Sequence, residues 1–466
     1  MLFLLILFYQ GLEEITPTNL VFYVKNFTNW DLVGAKMRNE QPVHPLDMIR
    51  YGYESCEVML DDHETKEMLY FHKSFDLVIL DGAFPECALG FVKHYNTPFM
   101  YINTVALHTG SLSLAGNPNP YSITPFLATS YTDSMMLHER MLNMFWYWAG
   151  DLLHGFMTRW MLQGILSERF GRDMPPIYQL SSNVSFILQN SHPAVTYSKA
   201  YLPNVAEIGC IHCRNPKPLP NDLQKFINGS GEAGFIYFSM GSSVKASNMP
   251  EFLRRMLIQV FKKLPQRVLW KWEGEDMPDL PSNVKLGRWL PQQDLLGHPK
   301  IRAFVTHGGL LSMFETVYHG VPIVTLPVFC DHDSNAAKSE QDGYAIKLDI
   351  ATINADSLLW AIEKIIHDPK YRSEVQKRQV VLRDQKETPL ERAVFWTEYV
   401  LRNKGAEYLQ SSSRLLSAAE YYMLDVYLVL LFLLCFIYFG LLKPAFAFIP
   451  KAVSLMNETK KDVKVD

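Results

Sequence analysis

The sequence predicts an α/β protein built from two doubly wound parallel-sheet domains followed by one C-terminal transmembrane helix. Three observations predict it. Apolar strand-like runs alternate with helically spaced segments in both halves of the chain, a pattern that parallel sheets with crossover helices require. A proline-rich polar stretch separates the halves, and a long uncharged run lies near the end. With 466 residues, 48% hydrophobic and 20% charged, the chain can bury two sizeable cores, which excludes general disorder. Lys+Arg 44 against Asp+Glu 48 leaves a net charge of -4, so there is no basic excess for a phosphate backbone and no nucleic acid is expected as partner.

Residues 1-20 begin MLFLLILFYQ, apolar like the middle of a signal peptide but with no Lys or Arg before it and no small-residue cleavage site after it. This start reads as a weak signal or the remnant of one. The first domain is placed at 21-210. In it, FDLVIL from Phe75 to Leu80 is a strand ending at Asp81 and Gly82, PECALGFVKHY is a helix, and PFMYINT is the next strand. From Leu137 to Phe170 the chain is rich in Met, Trp, Phe and Leu, a composition that suits helices lining an apolar cavity as well as ordinary core helices. RNPKPLPND, beginning at Arg214, marks an interdomain linker placed at 211-225. The second domain, 226-415 with return helices, alternates again: FIYFSMGSS, a helix over Glu251 to Leu264, RVLWKW, VKLGRWL, AFVTHGG, a helix from Ser312, PIVTLPV, and a helix starting near Asn335.

Val426 to Leu442 carries no charge, and with Tyr421 to Leu424 it reaches the roughly 20 residues a membrane-spanning helix needs. Asp425 on one side, Lys443 and Pro444 on the other, and tyrosines near both ends suit an anchor over 421-442. Lysines at 443, 451, 460, 461 and 464 outnumber Arg402, Lys404 and Arg414 upstream, which by the positive-inside bias places the tail, 443-466, in the cytosol. Asn-x-Ser/Thr triplets at Asn26, Asn183 and Asn228 suit a luminal body, although Asn457 in the tail carries a fourth. Six cysteines are too few and too scattered for a disulfide scaffold. Cys210 and Cys213 form one C-x-x-C with only His212 beside it, which reads as a loop disulfide or two free thiols rather than a zinc site.

In doubly wound sheets ligands bind beyond the carboxyl ends of the strands. Three such ends in the second half offer groups suited to a nucleotide diphosphate: Gly241, Ser242 and Ser243; Trp289 to Gln293; and His307 to Ser312. In THGGLLSMFE, Gly308 and Gly309 let backbone N–H groups approach an anion, and the following helix aims its positive dipole end at the same place. His307 and Ser312 add donors, and Glu315, one turn deeper on the face of Ser312, can accept both hydroxyls of a ribose. Trp289 offers a flat face for a base, with Gln292 able to pair with its edge.

Read together, WLPQQDLLGHPKIRAFVTHGGLLSMFETVYHGVPIVTLPVFCDHDSNA closely resembles the signature of the UDP-glycosyltransferase family, which includes the animal UDP-glucuronosyltransferases. FIYFSMGSS, the KPLP linker, FDLVILD and the C-terminal span extend the resemblance over nearly the whole chain after about residue 25. It implies two facing domains of GT-B type, the first holding a small lipophilic acceptor and the second a UDP-sugar, glucose or glucuronate, used as co-substrate without any other cofactor. It also implies an endoplasmic reticulum membrane protein in contact with lipid, and is compatible with oligomers formed with itself or related transferases. Carried over by position, Trp289 and Gln292 are the uracil contacts, Glu315 the ribose contact, and Ser242, His307, Gly309 and Ser312 the diphosphate contacts. Asp331 resembles the residue that binds sugar hydroxyls, and His332 stands where the family usually has Gln. No metal is required by these residues.

Transfer in the family is an inverting displacement in which a His base, oriented by an Asp, takes the acceptor proton. Asp81 matches that Asp. The His has no match, because the segment expected to hold the first strand, its loop and the next helix is absent between FYQG and NLVFYVKN. His72 precedes its strand, His94 falls in a helix-to-strand connection, and His108 follows the next strand, where it suits the acceptor pocket better. The expectation is a transferase sequence in truncated or alternatively spliced form, or else a catalytically impaired binding or regulatory partner.

Overall fold

The computed structural model describes residues 4–8, 11–15, 17–27, 29–70, 74–106, 109–127, 129–275 and 277–462. The chain divides into two compact units, Met1–Ser411 and Ser412–Asp466. Within the first, β1 (Leu4–Phe8) and β2 (Gly11–Ile15) form an antiparallel hairpin. Four parallel strands follow in the order β3 (Val78–Asp81), β4 (Phe99–Asn103), β5 (Phe186–Gln189), β6 (Val205–Glu207). The hairpin approaches β3 without joining its ladder, so β3 is the sheet edge among the described residues.

The second sheet is all parallel and contains β7 (Phe235–Ser239), β8 (Arg267–Lys271), β9 (Val284–Gly287), β10 (Ile301–Thr306), β11 (Ile323–Thr325) and β12 (Ala345–Lys347). Its order is β12-β11-β10-β7-β8-β9. The chain winds outward one way from β7 and the other way from β10. The crevice between those two strands is therefore the topological switch point, where open α/β sheets take their ligands. β7 is buried at every position, as expected of a strand covered by helices on both faces. Trp270 on β8, fully buried, packs edge-on against Phe238, Phe261 and Trp272 at 5.5, 5.4 and 5.3 Å.

Each sheet borrows a helix from the far end of the chain. Helix Leu32–Met37, capped by the Asp31 carboxylate on the Gly34 N–H, sinks Leu32 and Val33 into the core of the second sheet beside Val244, Met249 and Ile350. Helix Pro389–Arg402, opened by a Thr388–Glu391 capping box, returns to the first sheet, where Trp396 stacks on Phe186 at 4.5 Å. The sequence reading gives the second domain return helices without assigning them to a sheet, and does not mark the exchange of Leu32–Met37.

Helices begin slightly earlier than their apolar spacing suggests, at Leu310 rather than Ser312 and at His332 rather than near Asn335. Helix Asn221–Asn228 starts within the stretch read as linker. Leu137–Phe156 continues through Met157–Leu162 into Gln163–Phe170. It is anchored by buried Asn143, which donates to Tyr121 O and Thr124 O and accepts from the Phe126 N–H. Phe145, Trp146, Trp148, Leu152, Phe156 and Trp160 point outward. Cys56 pairs with Cys87, and Cys210 with Cys213, the loop disulfide being one of the two readings of C-x-x-C.

In the second unit, Met423 adopts a left-handed conformation and ends a short helix, so the continuous apolar helix starts at Leu424 and runs to Leu442. It continues as Lys443–Asp462 through Pro450, without a break at Pro444.

Candidate functional site

The carboxyl ends of β7 and β10 bring together most of the donor-site residues expected from sequence. β7 ends in the turn at Gly241, whose φ of 77° favours glycine. A Cβ there would lie 2.4 Å from His307 Cε1, and one on Gly309 would lie 2.6 Å from His307 Nε2. Two glycines thus sandwich the imidazole at the mouth of β10. Its Nδ1 is 3.4 Å from Thr306 Oγ1, and His332 meets it edge-on at 4.3 Å.

Helix Leu310–His319 then presents Ser312 and Glu315 on one face, both buried. Gln292, at the start of helix Gln292–Leu296, donates its amide to Ser312 Oγ at 2.9 Å and to Glu315 Oε2 at 2.5 Å. A network of this kind fixes the carboxylate in one orientation. Trp289 is 78% exposed, a ring face open for stacking, with Lys271 Nζ 5.6 Å above its centroid. Ser242 lies exposed beside Gly241.

Lys271 is a site residue that sequence reasoning missed. Buried at the end of β8, it donates to Gly241 O at 2.8 Å and pairs with Glu273, tying the β7 turn to the Trp289 loop. The available signal was a charge inside the apolar run RVLWKW.

Asp331, the residue before helix His332–Gln341, accepts from Asn335 Nδ2 at 2.8 Å; Asn335 also donates to Gly308 O at 2.9 Å, joining that helix to the Gly308 turn. Burial raises the Asp331 carboxyl above its ordinary range. Burial, with the Lys36 charge second, drops His332 to about 3, and burial with His332 and Lys271 nearby holds His307 well below the usual imidazole range. Both rings are neutral at physiological pH. His332 Nδ1 accepts the Phe329 N–H at 3.4 Å, so its proton sits on Nε2.

This burial has a pH consequence. The unfolded His332 binds a proton near pH 6.5 while the folded one does not until about 3, so the unfolded state holds more protons between those values. Stability is greatest above pH 6.5 and falls as pH drops, by up to about 1.4 kcal/mol per pH unit for this group. Urea midpoints measured from pH 7 to pH 5 should therefore decline less in His332→Gln than in the parent. Equal slopes would remove His332 as a source.

Across from this cluster, Ser130, Lys36 and Lys347 converge on Asp333, with Lys36 Nζ at 3.1 Å. A cavity lined by Ala106, Pro125, Tyr197, Lys199, Asn335 and Lys338 lies between the two sheets. Lys199 donates to Ala106 O, and burial lowers its amine to about 7.

Asp81 sits apart, at the carboxyl end of β3, accepting the Ala83 N–H at 2.9 Å. Among the described residues no histidine bonds to it. His94 occupies the last turn of helix Leu89–Tyr95, at the amino end of β4, packed edge-on against Tyr95. His72 and His108 lie outside the described residues. Nearby, His154 pairs with buried Glu86 at 2.6 Å, which raises the imidazole pKa.

The family described as UDP-glucoronosyl and UDP-glucosyl transferase matches residues 15–459. UDP-glucuronosyltransferase 2B17 of Homo sapiens is 33% identical over 90% of this chain and 80% of its own length. UDP-glucosyltransferase 2 of Dactylopius coccus is 33% identical over 87% of this chain and 77% of its own. A crystal structure of the glycotransferase of kitacinnamycin shares the fold at 19% identity, with a TM-score of 0.53 over 76% of this chain and 83% of that one. With a family match over nearly its whole length and two facing parallel sheets of GT-B type, the chain belongs to the UDP-glycosyltransferase family of glucuronosyl- and glucosyltransferases.

Proposed function

We propose that the protein binds a UDP-sugar at the β7/β10 switch point and transfers glucose or glucuronate to a small lipophilic acceptor by inverting displacement. The convergence of Gln292, Ser312 and Glu315 with the glycine-flanked His307 carries this reading. Trp289 and Gln292 take uracil, Glu315 the ribose hydroxyls, and Ser242, His307, Gly309 and Ser312 the diphosphate, whose charge the N-terminus of helix Leu310–His319 favours. Asp331 and His332 address the sugar. A base removes the acceptor proton, the oxygen attacks the anomeric carbon, and UDP leaves with its charge held by those donors. A second reading, a catalytically impaired binding or regulatory partner, is favoured by one observation: Asp81 turns its carboxylate onto its own loop and meets no imidazole among the described residues.

Glu315→Ala is expected to leave a ribose unpaired and weaken UDP binding by about 1 to 3 kcal/mol. Calorimetry on the detergent-solubilised protein measures this. Unchanged affinity in both Glu315→Ala and His307→Ala would defeat the donor-site assignment.

The apolar helix Leu424–Leu442 and the exposed asparagines at 26, 183 and 228 support a single-pass protein of the endoplasmic reticulum with a luminal body and a cytosolic tail. Alkaline carbonate should leave it in the membrane pellet. Release into the supernatant, or a glycan on Asn457 with none on the other three, would contradict this topology.

A further inference from the structure

The Cys210–Cys213 loop has no part in the roles assigned above, yet it closes one side of the ribose pocket. Cys210 holds a φ of 70°, and its Sγ lies 3.8 Å from Phe314 O on the helix that carries Glu315. Gln293 grips the loop twice, donating to His212 O at 3.1 Å and accepting the Arg214 N–H at 2.8 Å. Arg214 forks onto Asp294 at 2.6 and 3.0 Å. The disulfide shortens the loop to a Cα–Cα distance of 5.0 Å. His212, between the two sulfurs, therefore has little freedom.

Its Nε2 stands 3.3 Å from Leu311 O and 3.5 Å from Glu315 Oε1. Both are acceptors, so Nε2 carries the proton. Nδ1, buried and without a partner among the described residues, is then a bare lone pair, cheaper to leave unmet than an N–H. Glu315 thus receives the Gln292 amide at Oε2, while the edge of the His212 ring, its N–H given to Leu311 O, stands 3.5 Å from Oε1. A carboxylate offers about four lone-pair sites, so enough are left over for the two ribose hydroxyls.

We propose that His212 is a positioning residue for the nucleotide: the disulfide-closed loop holds its imidazole against Glu315 so that the carboxylate meets both ribose hydroxyls. This rests on the donor-site reading above and adds a residue from the interdomain linker to it.

The test compares UDP with 2′,3′-dideoxyuridine diphosphate, which lacks both hydroxyls, by calorimetry on the full chain in detergent. His212→Ala should weaken UDP about fivefold to twentyfold while moving the dideoxy ligand by less than about twofold. His212→Gln keeps an N–H donor and should recover most of the loss, and Cys213→Ser, which frees the loop, should repeat the selective loss. Unchanged UDP affinity in His212→Ala, or equal losses for both ligands, overturns the proposal. If His212→Ala does not fold, His212→Asn takes its place, its shorter amide unable to span both acceptors, under the same two criteria. A Glu315→Ala protein that still binds UDP normally would instead sink the donor-site reading itself.

Discussion

Supplied with UDP-glucose or UDP-glucuronate and a panel of phenols and steroids, the protein is expected to form conjugate about 10² to 10⁴ more slowly than a variant carrying a relative's His-bearing strand and loop beside Asp81. The attacking oxygen must lose a proton, and an imidazole oriented by a carboxylate takes it best near neutral pH. Asp81 stands ready at the carboxyl end of β3, but its Oδ1 accepts the Ala83 N–H instead. The strand in that variant would also pair with the edge of β3, bringing the acceptor side into register and adding a positioning gain. Asp81→Asn in the variant should remove most of the recovered turnover. Vigorous conjugation by the unaltered chain would refute the argument and direct attention to other histidines of the first domain.

The second large effect concerns stability. Trp270→Ala should cost about 3 to 5 kcal/mol, because the ring fills the centre of the second sheet's core and the cavity left behind cannot collapse between Phe238, Phe261 and Trp272. Trp270→Phe should cost clearly less. The indole Nε1 is buried without a partner among the described residues, so its removal forfeits area but no hydrogen bond. Urea unfolding followed through UDP binding would read both. A loss below about 1 kcal/mol for the alanine variant would contradict the packing argument.

Much of the second domain was legible in advance because β7 is a short apolar strand between Gly234 and Gly241, because β8 and β10 are mostly apolar, and because His307 follows a strand while Ser312 and Glu315 fall at helical spacing just after it. Helix starts were read late at Leu310 and His332, since Gly309 and Asp331 make no side-chain cap that would mark them. Lys271 was hidden within an apolar run. His332 was expected to face the sugar, and its ring also packs on His307, a contact that spacing does not encode. The pairs Glu86–His154 and Cys56–Cys87 join residues 68 and 31 positions apart, with no local pattern to connect them. The outward apolar face between Phe145 and Trp160 is not marked in the sequence, where the stretch suits a cavity lining and a core equally, because composition reports how greasy a helix is and not which side it turns inward.

Helix Leu32–Met37 couples the order of synthesis to the order of folding. Leu32 and Val33 leave the ribosome long before the core they plug is complete, which waits until β11, β12 and the helix after them have emerged, and Lys36 must wait 297 residues for Asp333. Until then a short amphipathic segment remains unsheltered, a natural client for chaperones. Contacts of such long sequence separation form late and slow the approach to the native state. Pulse-labelled nascent chains released before β12 should therefore be degraded by protease at the segment around Leu32, which becomes resistant only once the last strand is made.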